Sequence, residues 1–80
     1  MRIPRDLNGT DLAKQLRPFG YSVTRQSGSH MRLTRIVGDA EQNLTIPAHK
    51  PLRVGTLRQI LKDVAEQTHQ SLEALLEALD

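Results

Sequence analysis

No cysteine occurs among the 80 residues. This excludes a disulfide framework, a thiolate zinc site and a cysteine nucleophile, and it fits a chain kept in a reducing compartment. Aromatic residues are almost missing, with Phe19 and Tyr21 the only two. The interior must then be built from Leu, Ile and Val, in a domain whose size allows burial of only about 60% of the surface its unfolded chain exposes. No run approaches the roughly 20 apolar residues of a membrane span. The first eleven residues carry two arginines and two aspartates and lack the apolar stretch of a secretory leader. The expectation is one soluble, cytoplasmic domain over 1–80, with no membrane association.

The net charge of +2 conceals an asymmetry. Residues 1–62 hold all eleven Lys and Arg against four acids, a net +7, whereas residues 63–80 hold five acids and no Lys or Arg, a net −5. A basic body suits a polyanion partner, and the acidic tail reads as a separate helix.

Helix signals open and close the chain. Asn8 stands where a helix cap belongs, Leu7 can staple onto Leu12, and Leu12, Leu16 and Phe19 share a face. Pro18 and Gly20 then stop a helix over about 9–17. Further on, Thr56–Gln59 has capping-box spacing, and Leu57, Ile60, Leu61 and Val64 give the strongest helical stripe in the chain. Ser71 caps a last helix, about 71–79, striped by Leu72, Leu75, Leu76 and Leu79. Between the first two helices lie three runs of period-two alternation: Tyr21–Gln26, His30–Ile36 and Asn43–Ile46. Ser27–Gly28–Ser29 and Gly38–Asp39 punctuate them. The pattern predicts an α+β domain in the order α-β-β-β-α with an appended acidic helix, its core at about 7–65, with both main helices on the buried face of an antiparallel meander.

The alternation sends Tyr21, Val23, Met31, Leu33, Leu44 and Ile46 inward and leaves His30, Arg32, Asn43 and the hydroxyls on the wet face. That face lacks the aromatics needed to stack splayed bases. It suits phosphate and 2′-hydroxyl contacts instead, with Arg25, Arg32 and Arg35 near by. His30 stands at the mouth of the Gly28–Ser29 turn. An imidazole titrates near neutrality, so it can take the proton of an RNA 2′-hydroxyl or return one to a departing 5′-oxygen, while arginines stabilise charge on the phosphoryl oxygens. His49, in Pro47–Pro51, is a second candidate for a phosphate or proton contact, and Lys50 and Arg53 precede the free N–H groups of Gly55 and Thr56 at a helix start. His69, among acids, reads as a solvated side chain. The histidines form no metal-ligand spacing, so no metal and no other cofactor is expected.

Three pieces, in order, resemble the HicA toxins: Asn8–Gly9–Thr10–Asp11–Leu12 with Leu16 and Phe19–Gly20–Tyr21; Gly28–Ser29–His30–Met31; and Ile46–Pro47–Ala48–His49–Lys50 followed by Val54–Leu61. The resemblance implies a fold like a double-stranded-RNA-binding domain, metal-independent cleavage of messenger RNA, and neutralisation by a HicB-type antitoxin. It assigns catalysis to the histidine of the Gly-Ser-His motif, here His30. Pro18 and the tail beyond residue 68 depart from the family pattern. Two other readings stay open on the residues themselves: a non-catalytic RNA-binding module using the same basic face, and an interaction protein working through the leucine-striped tail. That tail can equally cap the chain's own core.

Overall fold

The computed structural model describes residues 7–79; the expectation about a leader falls largely outside them. The elements are α1 (Gly9–Gln15), β1 (Ser22–Ser27), β2 (His30–Val37), β3 (Ala40–Pro47), α2 (Val54–Gln67) and α3 (Leu72–Ala78), with a 3-10 turn over Arg17–Phe19. The α+β order α-β-β-β-α plus a final helix is therefore the one expected. The strands form one antiparallel sheet in the order β1-β2-β3. No described helix is long and apolar enough to cross a membrane.

Period-two alternation and helical stripes meet in a single core. Met31 and Leu33 of β2 and Leu44 and Ile46 of β3 are buried with Leu12 and Leu16 of α1, Leu57, Ile60, Leu61 and Val64 of α2, and Leu75 of α3. All three helices thus cover one face of the sheet, giving two layers within extents of 35 × 31 × 18 Å. Leu75 is fully buried, and Leu72, Leu76 and Leu79 pack half-buried beside it. The striped tail caps the chain's own core.

Glycine at position 9 is what lets α1 lie against β3. A Cβ there would stand 1.9 Å from the Pro47 carbonyl oxygen, and the Gly9 N–H donates to the His49 carbonyl at 3.1 Å. Only a residue without a side chain permits that approach.

Several boundaries differ from expectation. The α-helical part of α1 ends at Gln15, and Pro18 is accommodated in the tighter 3-10 turn, closed by Gly20 at φ 97°. Asn8 holds the cap position by its backbone, but its side chain makes no capping bond. The second main helix starts at Val54, with Arg53 as its cap residue, so Thr56 lies within the first turn and not at a capping box. Ser71, in contrast, caps α3 as expected, accepting from the Ala74 N–H at 3.1 Å. β3 begins three residues early because Gly38 (φ 59°) and Asp39 form a two-residue turn that pairs Val37 directly with Ala40. Val23 was expected inside but is 46% exposed: β1 is an edge strand whose six residues are all exposed, and only one flank of it is covered.

Candidate nucleic-acid interface

The sheet face away from the helices carries His30, Arg32, Thr34 and Ile36 from β2 and Glu41, Asn43 and Thr45 from β3. Register places Arg32 opposite Thr45 and Thr34 opposite Asn43. On β1 an extra residue enters between Val23 and Arg25, a bulge that leaves Arg25 directly opposite Arg32 and Ser27 opposite His30. Two residues then oppose one on the partner strand, and both Thr24 and Arg25 serve the open face. Together with Arg32, Thr34, Ile36 and Glu41 they line a shallow depression of about 340 Å³. Its floor is polar. The Thr24 and Thr34 hydroxyl oxygens are 2.8 Å apart, Thr34 donates to Asn43 Oδ1 at 2.9 Å, and Arg32 Nε donates to the same oxygen at 3.2 Å.

His30 is the first residue of β2, exposed at one end of this face. The turn before it needs Gly28 at φ 58°, a left-handed conformation that glycine adopts without strain. Ser29 contributes its carbonyl, which accepts from the Ala48 N–H at 2.6 Å. That bond and the pairing of His30 with Pro47 bring the start of the 48–53 connection to the histidine end of the sheet. The connection is pinned again where His49 accepts from Gly9 and where the Leu52 N–H donates to the Leu7 carbonyl at 2.9 Å. Its side chains His49, Lys50 and Arg53 are exposed. Among the described residues no three His, Asp or Glu side chains come together in a way that could hold a metal ion.

Arg35 does not belong to this group. It has the parity of Met31 and Leu33, so it emerges on the helix side. Its Nε donates to the Phe19 carbonyl at 2.9 Å, and its Nη1 to Gln42 Oε1 at 2.7 Å and to the Gln67 carbonyl at 3.2 Å. These carbonyls end the 3-10 turn and α2. A cation is favoured there, where helical carbonyls lack partners. Beside it Tyr21 is buried and its hydroxyl donates to Gln67 Oε1 at 2.6 Å. Burial pushes the Tyr21 phenol above its usual range; Arg35 lowers it somewhat and Asp63 raises it.

A family model described as the HicA toxin of bacterial toxin-antitoxin systems matches residues 9–65. The chain belongs to the HicA toxin family. The match spans α1 through most of α2, so it includes the Gly28–Ser29–His30 turn, the open face and the pinned connection. α3 lies beyond it. No curated protein and no solved structure matches the chain. As a toxin of a toxin-antitoxin system, a HicA chain has an antitoxin as its partner.

Sequence reasoning placed His30, Arg32 and Asn43 on the open face but gave Asn43 no task. The bulge that turns Thr24 and Arg25 to one side has no glycine or proline to announce it, and only the register exposes it.

Proposed function

We propose that this HicA toxin is an endoribonuclease that cleaves messenger RNA in the cytoplasm, stops translation and growth, and is neutralised by a HicB-type antitoxin. His30 is its general acid/base. The observation that supports this most directly is the shared face: His30 is exposed beside a tight turn, on the side of the sheet that carries Arg25 and Arg32.

In the reaction the 2′-oxygen bonds to phosphorus as the bond to the 5′-oxygen breaks, leaving a 2′,3′-cyclic phosphate. The imidazole takes the 2′-hydroxyl proton, and the departing 5′-oxygen gains one. Cations at the histidine end of the basic surface stabilise the charge that builds on the non-bridging oxygens. Lys50, Arg53 and His49 extend the basic surface along the pinned connection, and Gly28 and Ser29 let the RNA backbone approach closely. No metal is invoked, so cleavage should persist in excess EDTA.

The test is His30→Ala. The side chain is exposed, so stability should move by less than about 0.5 kcal/mol. Cleavage of a long RNA should fall roughly 10²–10⁴-fold, the usual contribution of a positioned acid or base. Affinity for RNA should hardly change. A variant that folds, binds RNA and still cuts at the parent's rate makes this domain a non-catalytic RNA-binding module.

A further inference from the structure

We infer that Asn43 is a positioning residue: it holds Arg32 so that the Arg25–Arg32 pair grips the RNA phosphate next to the one being cleaved. The inference rests on the open face being the RNA path.

The directions of the hydrogen bonds are fixed by the donors. Arg32 Nε–H can only donate, so the Asn43 atom 3.2 Å from it is the carbonyl Oδ1. Thr34 gives its single proton to the same oxygen at 2.9 Å. Its lone pairs alone then face Thr24 at 2.8 Å, so the Thr24 proton turns to Thr34 in preference to the Arg32 carbonyl 3.4 Å away. The chain runs from Thr24 through Thr34 to Asn43 Oδ1, where it meets the guanidinium. Both acceptor positions of Oδ1 are filled, which locks the amide orientation. Thr34 is 8% exposed, so this anchor is held firmly while Asn43 and Arg32 stay open to solvent.

Tying down Nε leaves the end-on edge of the guanidinium, Nη1 and Nη2, for two oxygens of one phosphate. Arg25 faces Arg32 directly across the strands. Two cations so placed repel each other, and an anion between them removes the repulsion. The position of the tie decides which phosphate is held. Asn43 is opposite Thr34, so the bond draws the Arg32 side chain along β2 away from His30, which is two residues, or about 7 Å, back along the strand. Arg32 therefore grips a phosphate that does not react. Such a contact strengthens ground state and transition state alike, and its loss appears in KM and not in kcat.

The experiment compares Asn43→Ala, Arg32→Ala and the double variant, alongside Thr34→Val and Thr34→Ser. Two readouts are taken: steady-state cleavage of a long single-stranded RNA, and binding of an all-deoxy oligonucleotide that cannot be cleaved by 2′-oxygen attack. Asn43→Ala should raise KM about threefold to tenfold with kcat changed less than about twofold. It should weaken oligonucleotide binding by a similar factor. In the Arg32→Ala background the same substitution should change neither by more than about 1.5-fold, because the group it positions is gone. Thr34→Val should reproduce part of the loss and Thr34→Ser should restore it. An Asn43→Ala effect of equal size in both backgrounds, a fall in kcat without a rise in KM, or unchanged KM and binding overturns the inference. If the parent protein does not cleave RNA, the ribonuclease reading fails, yet the binding cycle still decides the role of Asn43.

Discussion

Arg35→Ala and Arg32→Ala remove the same side chain from positions three apart on one strand, and they should behave as opposites. Arg35 makes three hydrogen bonds on the helix side, two of them to carbonyls that end the 3-10 turn and α2. Its stem also lies 3.4–3.7 Å from where a Cβ on Gly20 would be. Hydrogen bonds to a charged group are worth about 1.5–3 kcal/mol each when deleted. Discounted for partial exposure, the set is worth about 2–4 kcal/mol. Against a total of about 4–12 kcal/mol for a domain of this length, that is a large share. At roughly 4–8 °C per kcal/mol, Tm should fall by about 8–32 °C. Arg35→Lys should recover little, because an ammonium cannot reproduce the fork. Arg32→Ala gives up one exposed hydrogen bond, and its stability should stay within about 1 kcal/mol of the parent. Thermal melts followed by far-ultraviolet circular dichroism measure both. RNA binding over a salt series completes the comparison: Arg32→Ala should flatten the log–log slope by about one unit, and Arg35→Ala should leave it alone at temperatures where it is folded. If Arg35→Ala melts with the parent and flattens the slope, the assignment of faces on β2 is wrong.

Three further outcomes follow from the geometry. His69 has φ 55° in the Schellman closure of α2, where the Gln70 N–H reaches the Ala65 carbonyl at 3.0 Å, so His69→Gly should raise stability by about 1 kcal/mol in a urea melt; no gain would mean the strain is absent. Tyr21 is the only tyrosine, so its near-ultraviolet phenolate absorbance can be followed directly: the folded phenol should ionise above the usual pKa of about 10. Because the folded value is raised, the stability it contributes is fully present below about pH 10 and is lost as pH climbs through the folded pKa, and Tyr21→Phe should abolish that loss. Leu75→Ala empties a fully buried position beneath α3 and should cost about 2–5 kcal/mol by chemical denaturation; an unaffected midpoint would return the tail to the role of a partner-binding helix.

Much of this was legible in the residues, and the exceptions have physical causes. The stripe Leu57–Ile60–Leu61–Val64 and the Ser71 cap depend on spacing within one helix, and both stand as read. The extra helical residues at 54–56 have no signal, since Arg53 caps with its backbone alone. The period-two signal of β3 starts only at Asn43, whereas cross-strand pairing of Glu41 with Ile36 and Gln42 with Arg35 carries the strand back to Ala40. Arg35 shows a different limit. Counting by twos from Met31 already puts it inward, but an arginine invites an electrostatic reading, and its partners are carbonyls 16 and 32 residues away that no local pattern reveals. The Thr24–Thr34–Asn43 chain joins three strands and exists only once a bulge has set the register.

Strand β2 therefore divides its duties by parity. Met31, Leu33 and Arg35 hold the fold, and His30, Arg32 and Thr34 serve the open face. This division also resolves the charge asymmetry of the sequence. The acidic residues Glu73 and Glu77 belong to α3, whose Leu75 enters the core from the helix layer, so the negative tail is carried behind the sheet. With Glu73 and Glu77 on the helix layer and Arg25 and Arg32 on the open face, a net charge of only +2 is compatible with cations gathered on one side of the sheet.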